Sequence, residues 1–348
     1  ETPAAVLDVV RFWVREFHVD GVHLTGQAPA WILAKDPYLT DTKLWATYWD
    51  DGDKEPGYQK NLGEFNDGFL VDMRRALKGD EDQMKNLIFR SRRNPAGHGV
   101  INYMATNNGF TLMDMVSYDR KHNEANGWQN SDGTNDNYSW NCGVEGETED
   151  PAVLALRKRM MENAFAVLLC SRGTPMFLSG DEFGDTRYGN NNPYCQDNPI
   201  SWLDWTLLEK NRPLFEFVKY MIAFRKRHPA IRMDLPSDRF SFPSVSLHGV
   251  HPWQPVLNED SHILCVLFSG SDQEQTEQDT VYLAINTYWE PASLLLPDLP
   301  FEWCWQIAVN TGDPSGPAFS EDTMPEASHT VLLGERSVIL FVAKRRSV

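Results

Sequence analysis

Residues 18–31, HVDGVHLTGQAPAW, predict a short apolar strand over residues 21–24 that runs into a polar loop. In a sheet of parallel strands covered by helices, the residues just past such a strand are placed to act on a bound substrate. A carboxylate there would serve as a nucleophile or a general acid. The residue at this position is Thr25, whose unactivated hydroxyl does neither near neutral pH. The end of this strand is therefore a candidate site position that holds a hydroxyl and no acid.

Other catalytic signatures are absent from the sequence. It contains no G-x-S-x-G, H-E-x-x-H, Walker A or G-x-G-x-x-G string. The nine His form no spaced cluster with Cys or carboxylates, so neither a metal nor a cofactor is predicted. For His23, a hydrogen-bonded position near the core and a position against a ligand both fit the pattern. The five Cys are scattered and include no C-x-x-C pair, which favours free thiols.

The formal net charge of −17 limits the class of partner. Phosphate binding needs an excess of Lys and Arg, so the charge argues against nucleic acid and anionic membranes, whereas a neutral sugar is compatible with an acidic surface. No run of the sequence approaches the roughly 20 apolar residues of a membrane span. The chain begins ETPAAV without Met, and we expect a processed chain or a fragment.

The elements that would position the site alternate between helix and strand. Thr2 and Pro3 predict a helix start. Helical spacing then predicts one buried face made of Val6, Val9, Val10, Trp13 and Phe17. Strands are predicted over residues 21–24, 42–50 and 99–109, and a long helix over 151–170 precedes another strand at 174–184. This order, with near-continuous apolar strands, is typical of a parallel sheet covered by helices.

The pattern changes after about residue 232. Strand-like runs dominate the rest of the chain, namely ILCVLFSG, TVYLAINTYW, CWQIAVNTG and SVILFVAKR. Gly, Pro, Asp and Ser separate these runs, which predicts a small antiparallel β-sandwich over residues 233–348. The predicted fold class is therefore α/β, followed by an antiparallel β-sandwich domain.

Several strings, in order along the chain, resemble the isoamylase-type debranching enzymes of glycoside hydrolase family 13. They are VRFWVREFHVDGVHL, TKLWATYWD, MATNNGFTLMDMVSYDRKHNEANG, NYSWNCGVEG and GTPMFLSGDEFGDTRYGNNNPYCQDNPISWLDW. The resemblance runs in register from residue 1 to about residue 230 and continues more weakly beyond. It implies that residues 1–232 form the C-terminal half of a (β/α)8 TIM barrel, strands four to eight, and that residues 233–348 form the β-sandwich.

The resemblance also implies three carboxylate positions, and none of them holds a carboxylate here. Thr25 occupies the nucleophile position, and His23 stands where an Arg steadies that carboxylate in the family. Thr47 occupies the acid/base position. Asn108 replaces the third carboxylate and Asn107 replaces the His before it. Because retaining hydrolysis needs two carboxylates about 5 Å apart, we expect no hydrolase activity.

Aromatic and neutral polar side chains remain in segments that line the glucan groove of the family. They are Trp49, Trp140, Tyr188, Asn190, Asn191, Asn192, Tyr194 and Gln196. Such residues bind sugars through ring faces and hydrogen bonds. Two alternatives stay open. The two Trp are either glucan contacts or packing residues, and the Asn run either contacts glucan or holds its own loop together.

One branch of this family, in plants and algae, shows the same loss of carboxylates. Resemblance to that branch implies a catalytically inactive subunit that assembles with the catalytic isoamylase in plastids. It further implies binding of branched α-glucan and support for the debranching of precursor amylopectin in starch synthesis. Two other functions stay open: an active α-1,6-glucosidase that uses non-standard acids, and a stand-alone glucan-binding protein.

Overall fold

A parallel sheet organises the first half of the chain. The structure, a computed structural model, describes residues 2–26, 29–47, 49, 61–93, 98–236, 240–271 and 277–346. Within these ranges, successive strands pair in parallel in the order in which they occur along the chain. They are β1 (Gly21–Leu24), β2 (Lys43–Ala46), β3 (Leu62–Phe65), β4 (Gly99–Asn102) and β5 (Thr174–Pro175). Their carboxyl ends consequently meet at one edge of the sheet.

Helices connect and cover the strands. They are α1 (Pro3–Phe17), α2 (Ala30–Ala34), α3 (Asp67–Lys78), α4 (Met84–Arg92), α5 (Leu112–Met115), α6 (Pro151–Leu169), α7 (Thr206–Lys210), α8 (Arg212–Arg227) and α9 (Pro229–Arg232). Short 3-10 turns lie at Pro37–Leu39, Glu124–Asn126, Asp181–Phe183 and Pro193–Cys195. The long helix α6 is buried throughout its last ten residues, so it forms the centre of the core.

Helix α1 begins as predicted but does not bury the predicted face. Thr2 caps it by accepting a hydrogen bond from the backbone N–H of Ala5, and Pro3 occupies the first helical position. Of the predicted apolar face, Val10 alone is buried. The described residues supply too little surface against α1 to cover the rest, so Val9, Trp13 and Phe17 remain exposed.

The strands are shorter than the sequence predicted. Among the described residues of the run 42–50, strand β2 covers Lys43–Ala46, and residues 48 and 50 of that run lie outside the described ranges. The run 99–109 is a strand only at Gly99–Asn102. Beyond Asn102, the chain turns into an irregular loop instead of continuing the ladder. Residues 174–184 contribute just the two-residue strand β5 before the 3-10 turn at Asp181–Phe183.

Antiparallel sheets form the last third of the chain. The larger one has the order β10-β12-β8-β7-β6, and β9 pairs with β11 in a second sheet. The strands are β6 (Val245–His248), β7 (Ile263–Ser271), β8 (Gln278–Asn286), β9 (Ala292–Leu295), β10 (Trp303–Asn310), β11 (Thr330–Leu333) and β12 (Ser337–Arg345). One face of the larger sheet shares a core with α6 and α8, and its other face packs on β9 and β11.

Asn163 of α6 joins the helical layer to the antiparallel sheet. Its side-chain N–H donates to the backbone oxygen of Arg336 at 2.8 Å, and its side-chain oxygen accepts from the Thr311 hydroxyl at 2.6 Å. All four polar groups lie in or beside a buried contact, where an unmade hydrogen bond is costly. The two parts of the chain are therefore tied by specific polar contacts as well as by apolar packing.

No helix in the described ranges is long and apolar enough to cross a membrane. The same ranges contain no group of three or more His, Cys, Asp or Glu placed to hold a metal ion.

His248, at the end of β6, should make stability depend on pH. Burial lowers its pKa to about 4, because the charged ring loses its contact with water. Its Nδ1 accepts the backbone N–H of Trp253, and its Nε2 faces the hydroxyl of Ser246. The folded state therefore excludes a proton that the unfolded state binds below about pH 6.5. Stability from this group is present above pH 6.5 and is lost as pH falls towards 4, by about 1.4 kcal/mol per pH unit.

Urea unfolding at pH 7, 6 and 5 checks this expectation, with His248→Asn as the matched variant. The Asn side chain keeps an acceptor for the Trp253 N–H but does not titrate. We expect the stability advantage of the wild type to shrink at each step down in pH. A wild-type advantage that stays constant across the series would show that His248 is not the cause.

Candidate functional site

Thr25 and Thr47 are neighbours at the carboxyl edge of the parallel sheet. The register pairs Leu24 of β1 with Ala46 of β2, and each Thr is the next residue along its strand. Adjacent strands lie about 4.8 Å apart, so continuing the register places the two Thr backbones at about that spacing. Both residues are exposed. The edge thus holds two neighbouring Thr residues, and side chains that extend from backbones at this spacing could form a retaining pair if they were carboxylates.

Aromatic rings cover the sheet face that carries the two Thr. Phe65 lies at the centre, with ring centroids 4.6 Å from His23, 5.9 Å from Trp45 and 6.0 Å from Tyr103. Side chains alternate between faces along a strand, so His23 and Thr25 share this face. Gly63 leaves room for the rings, because a Cβ there would come within 2.9 Å of Trp45.

Asn107 and Asn108 lie on the loop after β4, and both side chains are exposed. The loop is fixed through its backbone. The N–H of Gly109 donates to the backbone oxygen of Asn191 at 3.0 Å, and the Arg187 guanidinium donates to the backbone oxygen of Asn107 at 3.2 Å. Asn108 is therefore presented to solvent by a braced loop and carries no charge.

Arg74 of α3 supports this loop from beneath. It is 3% exposed, and its guanidinium donates to the backbone oxygens of Met104 at 2.7 Å, Asn137 at 2.9 Å and Phe110 at 3.1 Å. Burial lowers the pKa of Arg74 to about 10, which leaves it charged at neutral pH. One buried cation thus holds together two loops that border the candidate site.

The side chain of Asn191 connects loops of the protein and does not face a ligand. Its side-chain N–H donates to the backbone oxygen of Thr134 at 2.8 Å and to the side chain of Asn137 at 2.7 Å, and its side-chain oxygen accepts from Asn123 at 2.8 Å. The residue is fully buried. The glucan contact expected for Asn191 is thereby corrected, since its buried side chain bonds to the protein and is out of reach of a sugar.

A second network surrounds Asp132. Its carboxylate accepts hydrogen bonds from the side chains of Asn126 at 2.8 Å and Asn192 at 2.9 Å, which lower its pKa. Asn126 in turn accepts from Asn190 at 2.9 Å and from Gln196 at 2.7 Å. Asn190 is buried, so its expected glucan contact is also corrected. Asn192 and Gln196 are partly exposed and are held in place by the network.

The two Trp whose role the sequence left open differ in how deeply they are buried. Trp49 is 1% exposed, belongs to the core around β2, and donates its ring N–H to the backbone oxygen of Gly63 at 3.0 Å. A ring without an exposed face cannot stack on a sugar, so the packing alternative holds for Trp49. Trp140 packs against the main core, and the Arg336 guanidinium covers its ring at 4.4 Å. Trp140 is only partly buried, so its glucan contact stays a prediction.

Two predicted aromatic residues do remain open to solvent. Tyr188 is exposed, and Tyr194 is 69% exposed. Tyr188 also lines a small groove of about 310 Å³ together with Trp202 and Asp185. Burial raises the pKa of Asp185 to about 6. Tyr188 and Tyr194 therefore belong to the part of the predicted groove that a ligand can reach.

Two buried acids, Asp114 and Asp181, are occupied by contacts with the protein. Both oxygens of Asp181 accept backbone N–H groups, from Leu112 at 2.9 Å and from Leu178 at 3.2 Å, and burial raises its pKa to about 7. Asp114 accepts the Thr186 hydroxyl and the Arg187 backbone N–H. Both carboxylates are almost wholly inaccessible to solvent. Their geometry is that of loop anchors.

The sequence analysis did not identify the groups that support the site from inside the protein. These groups are strand β3, the aromatic centre Phe65, the buried Arg74, and the network partners Asn123, Asn126, Asp132 and Asn137. The LGEF run is flanked by Gly and Asn residues that could have indicated β3. The network partners left no such signal, because the bonds that tie them to the Asn run and Gln196 join residues 54 to 70 positions apart.

Replacing Asn191 should cost about 3 kcal/mol of stability. Asn191→Ala leaves the backbone oxygen of Thr134 and the side chains of Asn123 and Asn137 without their buried partner. Urea unfolding measures the loss. The exposed neighbour Asn135 supplies the control, since Asn135→Ala should change stability by less than about 0.5 kcal/mol. Equal effects of the two substitutions would contradict a structural role for Asn191.

Solved structures place this architecture in a known class. A pullulanase from Bacillus acidopullulyticus superposes with a TM-score of 0.66 at 19% identity, covering 98% of this chain and 40% of that chain. The catalytic module of the pneumococcal virulence factor SpuA gives a TM-score of 0.69 at 13% identity, covering 99% of this chain and 55% of that one. The chain therefore has the α/β fold of pullulanase-type proteins.

Sequence comparison is more specific. No family model matches the chain. It is 36% identical to Isoamylase 3, chloroplastic, of Oryza sativa subsp. japonica, over 97% of this chain and 46% of that protein. It is 32% identical to Isoamylase 1, chloroplastic, of the same plant, over 94% of this chain and 46% of that protein. A GlgX homolog of Mycobacterium tuberculosis is 40% identical over 65% of this chain and 35% of its own length.

The chain is homologous to the isoamylase and GlgX debranching enzymes of glycoside hydrolase family 13, which confirms the resemblance found in the sequence. It spans about half the length of the plant isoamylases that it matches.

Proposed function

We propose that the chain is part of a catalytically inactive isoamylase-type subunit that binds branched α-glucan and assembles with a catalytic isoamylase. The observation that carries the proposal is the set of residues at the three family carboxylate positions, Thr25, Thr47 and Asn108. None of them ionises near neutral pH. In the described structure, the two Thr are neighbours at the strand ends where a retaining pair would stand.

The chemistry of debranching cannot run on these three side chains. A retaining glycosidase needs an ionised nucleophile for the anomeric carbon and an acid that protonates the leaving oxygen. Thr25 supplies only a neutral hydroxyl, and Thr47 holds its proton far too tightly to donate it. Asn108 can accept and donate hydrogen bonds to sugar hydroxyls, but it brings no charge to an oxocarbenium-like transition state.

The surroundings support loss of activity rather than relocation of the acids. Asp114 and Asp181 both use their carboxylates to hold backbone groups in buried positions. Asp50, three residues beyond Thr47, lies outside the described residues. The buried contacts that support the site are therefore present, whereas the three family carboxylate positions hold no acid.

The proposal also covers the fold, in which the chain supplies one half of a barrel. We assign residues 1–232 to the second half of a (β/α)8 barrel, strands four to eight, and residues 233–348 to the β-sandwich domain. The sequential parallel order of β1 to β5 supports this assignment. So does the open aromatic face around Phe65, which would point into the barrel and carries the two Thr.

Glucan contact is assigned to the side chains that remain accessible. Tyr188 and Tyr194 offer exposed rings, and Asn192 offers a partly exposed amide that the Asp132 network holds in place. Aromatic faces and oriented amides are the usual means of holding a neutral sugar. His23, Asn107 and Asn108 border the same edge with exposed side chains.

The partner and the location follow from the relatives. Two plant proteins that match nearly the whole chain are named as chloroplastic isoamylases. A member of that family that lacks the catalytic carboxylates can take part in debranching when it is bound to a catalytic isoamylase. We therefore assign it to the plastid, as a subunit that supports debranching of precursor amylopectin.

Size-exclusion chromatography with light scattering tests the partnership. The full-length protein is mixed with the catalytic isoamylase from the same source. We expect one peak whose mass equals that of a mixed assembly. Two peaks, each at the mass of its own protein, would contradict the partnership and would favour a stand-alone glucan-binding protein.

Asp185 and Asp204 give a second candidate, an active α-1,6-glucosidase with non-standard acids. Both line the groove with Tyr188. Burial raises the pKa of Asp185 to about 6, whereas hydrogen bonds from Thr206 lower the pKa of Asp204. Carboxylate pairs held in different protonation states are what glycosidases use. Release of reducing ends that Asp185→Asn abolishes would favour this candidate, and no release from either protein would exclude it.

A further inference from the structure

A second groove lies on the antiparallel part of the molecule. Its volume is about 610 Å³, which is within the range of ligand sites. It opens between the turn that joins β8 to β9, the loop before β7, and the loop after α3. The side chains that shape it include Glu81, Asp260, His262, Tyr288, Trp289 and Glu290.

Three stacked rings form one wall of this sandwich groove. The Tyr288 ring lies 5.0 Å from that of His262 at 27°, and 3.9 Å from that of Trp289 at 29°. Stacking covers one side of the indole, yet Trp289 remains 61% exposed. A large indole with an open side is an apolar platform on which the C–H face of a pyranose can pack.

The platform is held rigid by the backbone around it. The Asn286 side chain donates to the backbone oxygens of Glu290 and Gly334, both at 2.9 Å. The backbone N–H of Arg336 donates to the backbone oxygen of Tyr288 at 2.9 Å. These bonds fix the turn that carries Trp289 before any ligand arrives, which reduces the ordering cost of binding.

The charges around the groove select a neutral polyhydroxyl ligand. Glu81, Asp260 and Glu290 contribute carboxylates, and the described residues that line the groove include no Lys or Arg. Carboxylates repel phosphate and other anions but accept hydrogen bonds from sugar hydroxyls. The rings are nearly parallel, whereas a cage for a quaternary ammonium group needs rings on several sides. A sugar fits both features.

The sandwich groove is separate from the edge that carries Thr25 and Thr47. Helix α3 begins at Asp67, just after the carboxyl end of β3, and ends at Lys78. Its 12 residues span about 18 Å. Glu81 lies beyond the far end of that helix, so the groove is at least one helix length from the strand ends.

We propose that the sandwich groove is a second carbohydrate site that holds a linear stretch of α-1,4-linked glucan against Trp289. The preference for a neutral sugar comes from the groove itself, and the choice of an α-glucan rests on the proposed function. Such a site would keep the subunit on a long glucan chain while the edge of the parallel sheet meets another part of the same molecule.

Binding of maltoheptaose to the full-length protein, measured by isothermal titration calorimetry, tests the proposal. Trp289→Ala should weaken the groove site at least tenfold. Phe301→Ala is the matched control, because Phe301 is an exposed aromatic residue of the same domain outside the groove. It should bind as the wild type does. Choline is titrated in parallel to detect a cation site.

The outcomes separate this proposal from the proposed function. Weaker binding in Trp289→Ala, with Phe301→Ala unchanged, supports the second site. Binding that survives Trp289→Ala but is lost in Tyr188→Ala overturns it and leaves glucan binding at the strand edge intact. Absence of maltoheptaose binding by the wild type, or binding of choline in its place, also overturns it.

Discussion

Grafting the family acids should give the full-length protein a measurable debranching activity. The triple variant Thr25→Asp, Thr47→Glu and Asn108→Asp restores a nucleophile, an acid/base and the third carboxylate at positions that the scaffold still presents. Thr25 and Thr47 follow a matched pair of strand residues, so the new carboxylates fall near the separation that retention requires. We expect release of reducing ends from a branched glucan at least 100-fold above that of the wild type.

The control for the graft differs by one group. A triple variant with Thr47→Gln in place of Thr47→Glu has nearly the same size and polarity but lacks the acid. It should stay at the wild-type level, because nothing protonates the leaving oxygen. Equal rates from the two triple variants would show that the activity does not arise from the grafted pair, and would contradict the assignment of Thr47.

Replacing Arg74 should destabilise the protein by about 4 kcal/mol. Arg74→Met keeps much of the side-chain volume but removes the donors to the backbone oxygens of Met104, Phe110 and Asn137. Each buried oxygen left without a donor costs about 1–3 kcal/mol, and removal of the buried charge offsets part of the sum. Urea unfolding measures the change.

The adjacent arginine is the matched control. Arg75 is more than one-third exposed and pairs with Asp80, a contact worth less than about 1 kcal/mol at a surface. Arg75→Met should therefore leave the unfolding midpoint nearly unchanged. Similar losses from the two substitutions would mean that Arg74 contributes through the charge of α3 as a whole and not through its three buried contacts.

Uninterrupted apolar strands were predictable from the sequence. The SVILFVAKR run is strand β12, Ser337–Arg345, without a shift, and the GVHL run is β1. A run of this kind is compatible with one arrangement, a strand that pairs in a sheet. Strand β3 escaped notice because Glu64 interrupts a four-residue run. The structure satisfies Glu64 by contacts with Arg93 at 2.6 Å and His98 at 2.8 Å, which no local pattern announces.

The sequence predicted that Thr25 and Thr47 lie together at the edge of the sheet, but it did not predict the side-chain contacts of the buried Asn residues. Consecutive parallel strands bring Thr25 and Thr47 together whatever the details of packing. The roles of the Asn run were not deducible, because the side-chain partners of Asn191 are 54 and 68 residues away. From the sequence alone, an Asn side chain that binds sugar looks the same as an Asn side chain that connects two loops.

Helix α1 illustrates the remaining limit. Its spacing of apolar residues correctly predicts a helix with one apolar face, but the amount of that face that is buried depends on what packs against it. In the described residues, Val10 is covered while Trp13 and Phe17 are not. Periodicity specifies which residues share a face, and tertiary contacts decide how many of them leave solvent.

Reducing ends released from amylopectin by the pure full-length protein test the central claim most directly. The account predicts no release above the blank, even at protein concentrations at which the protein binds the glucan. Release that rises in proportion to the amount of wild-type protein would contradict it, because three positions without an ionisable acid would then support hydrolysis.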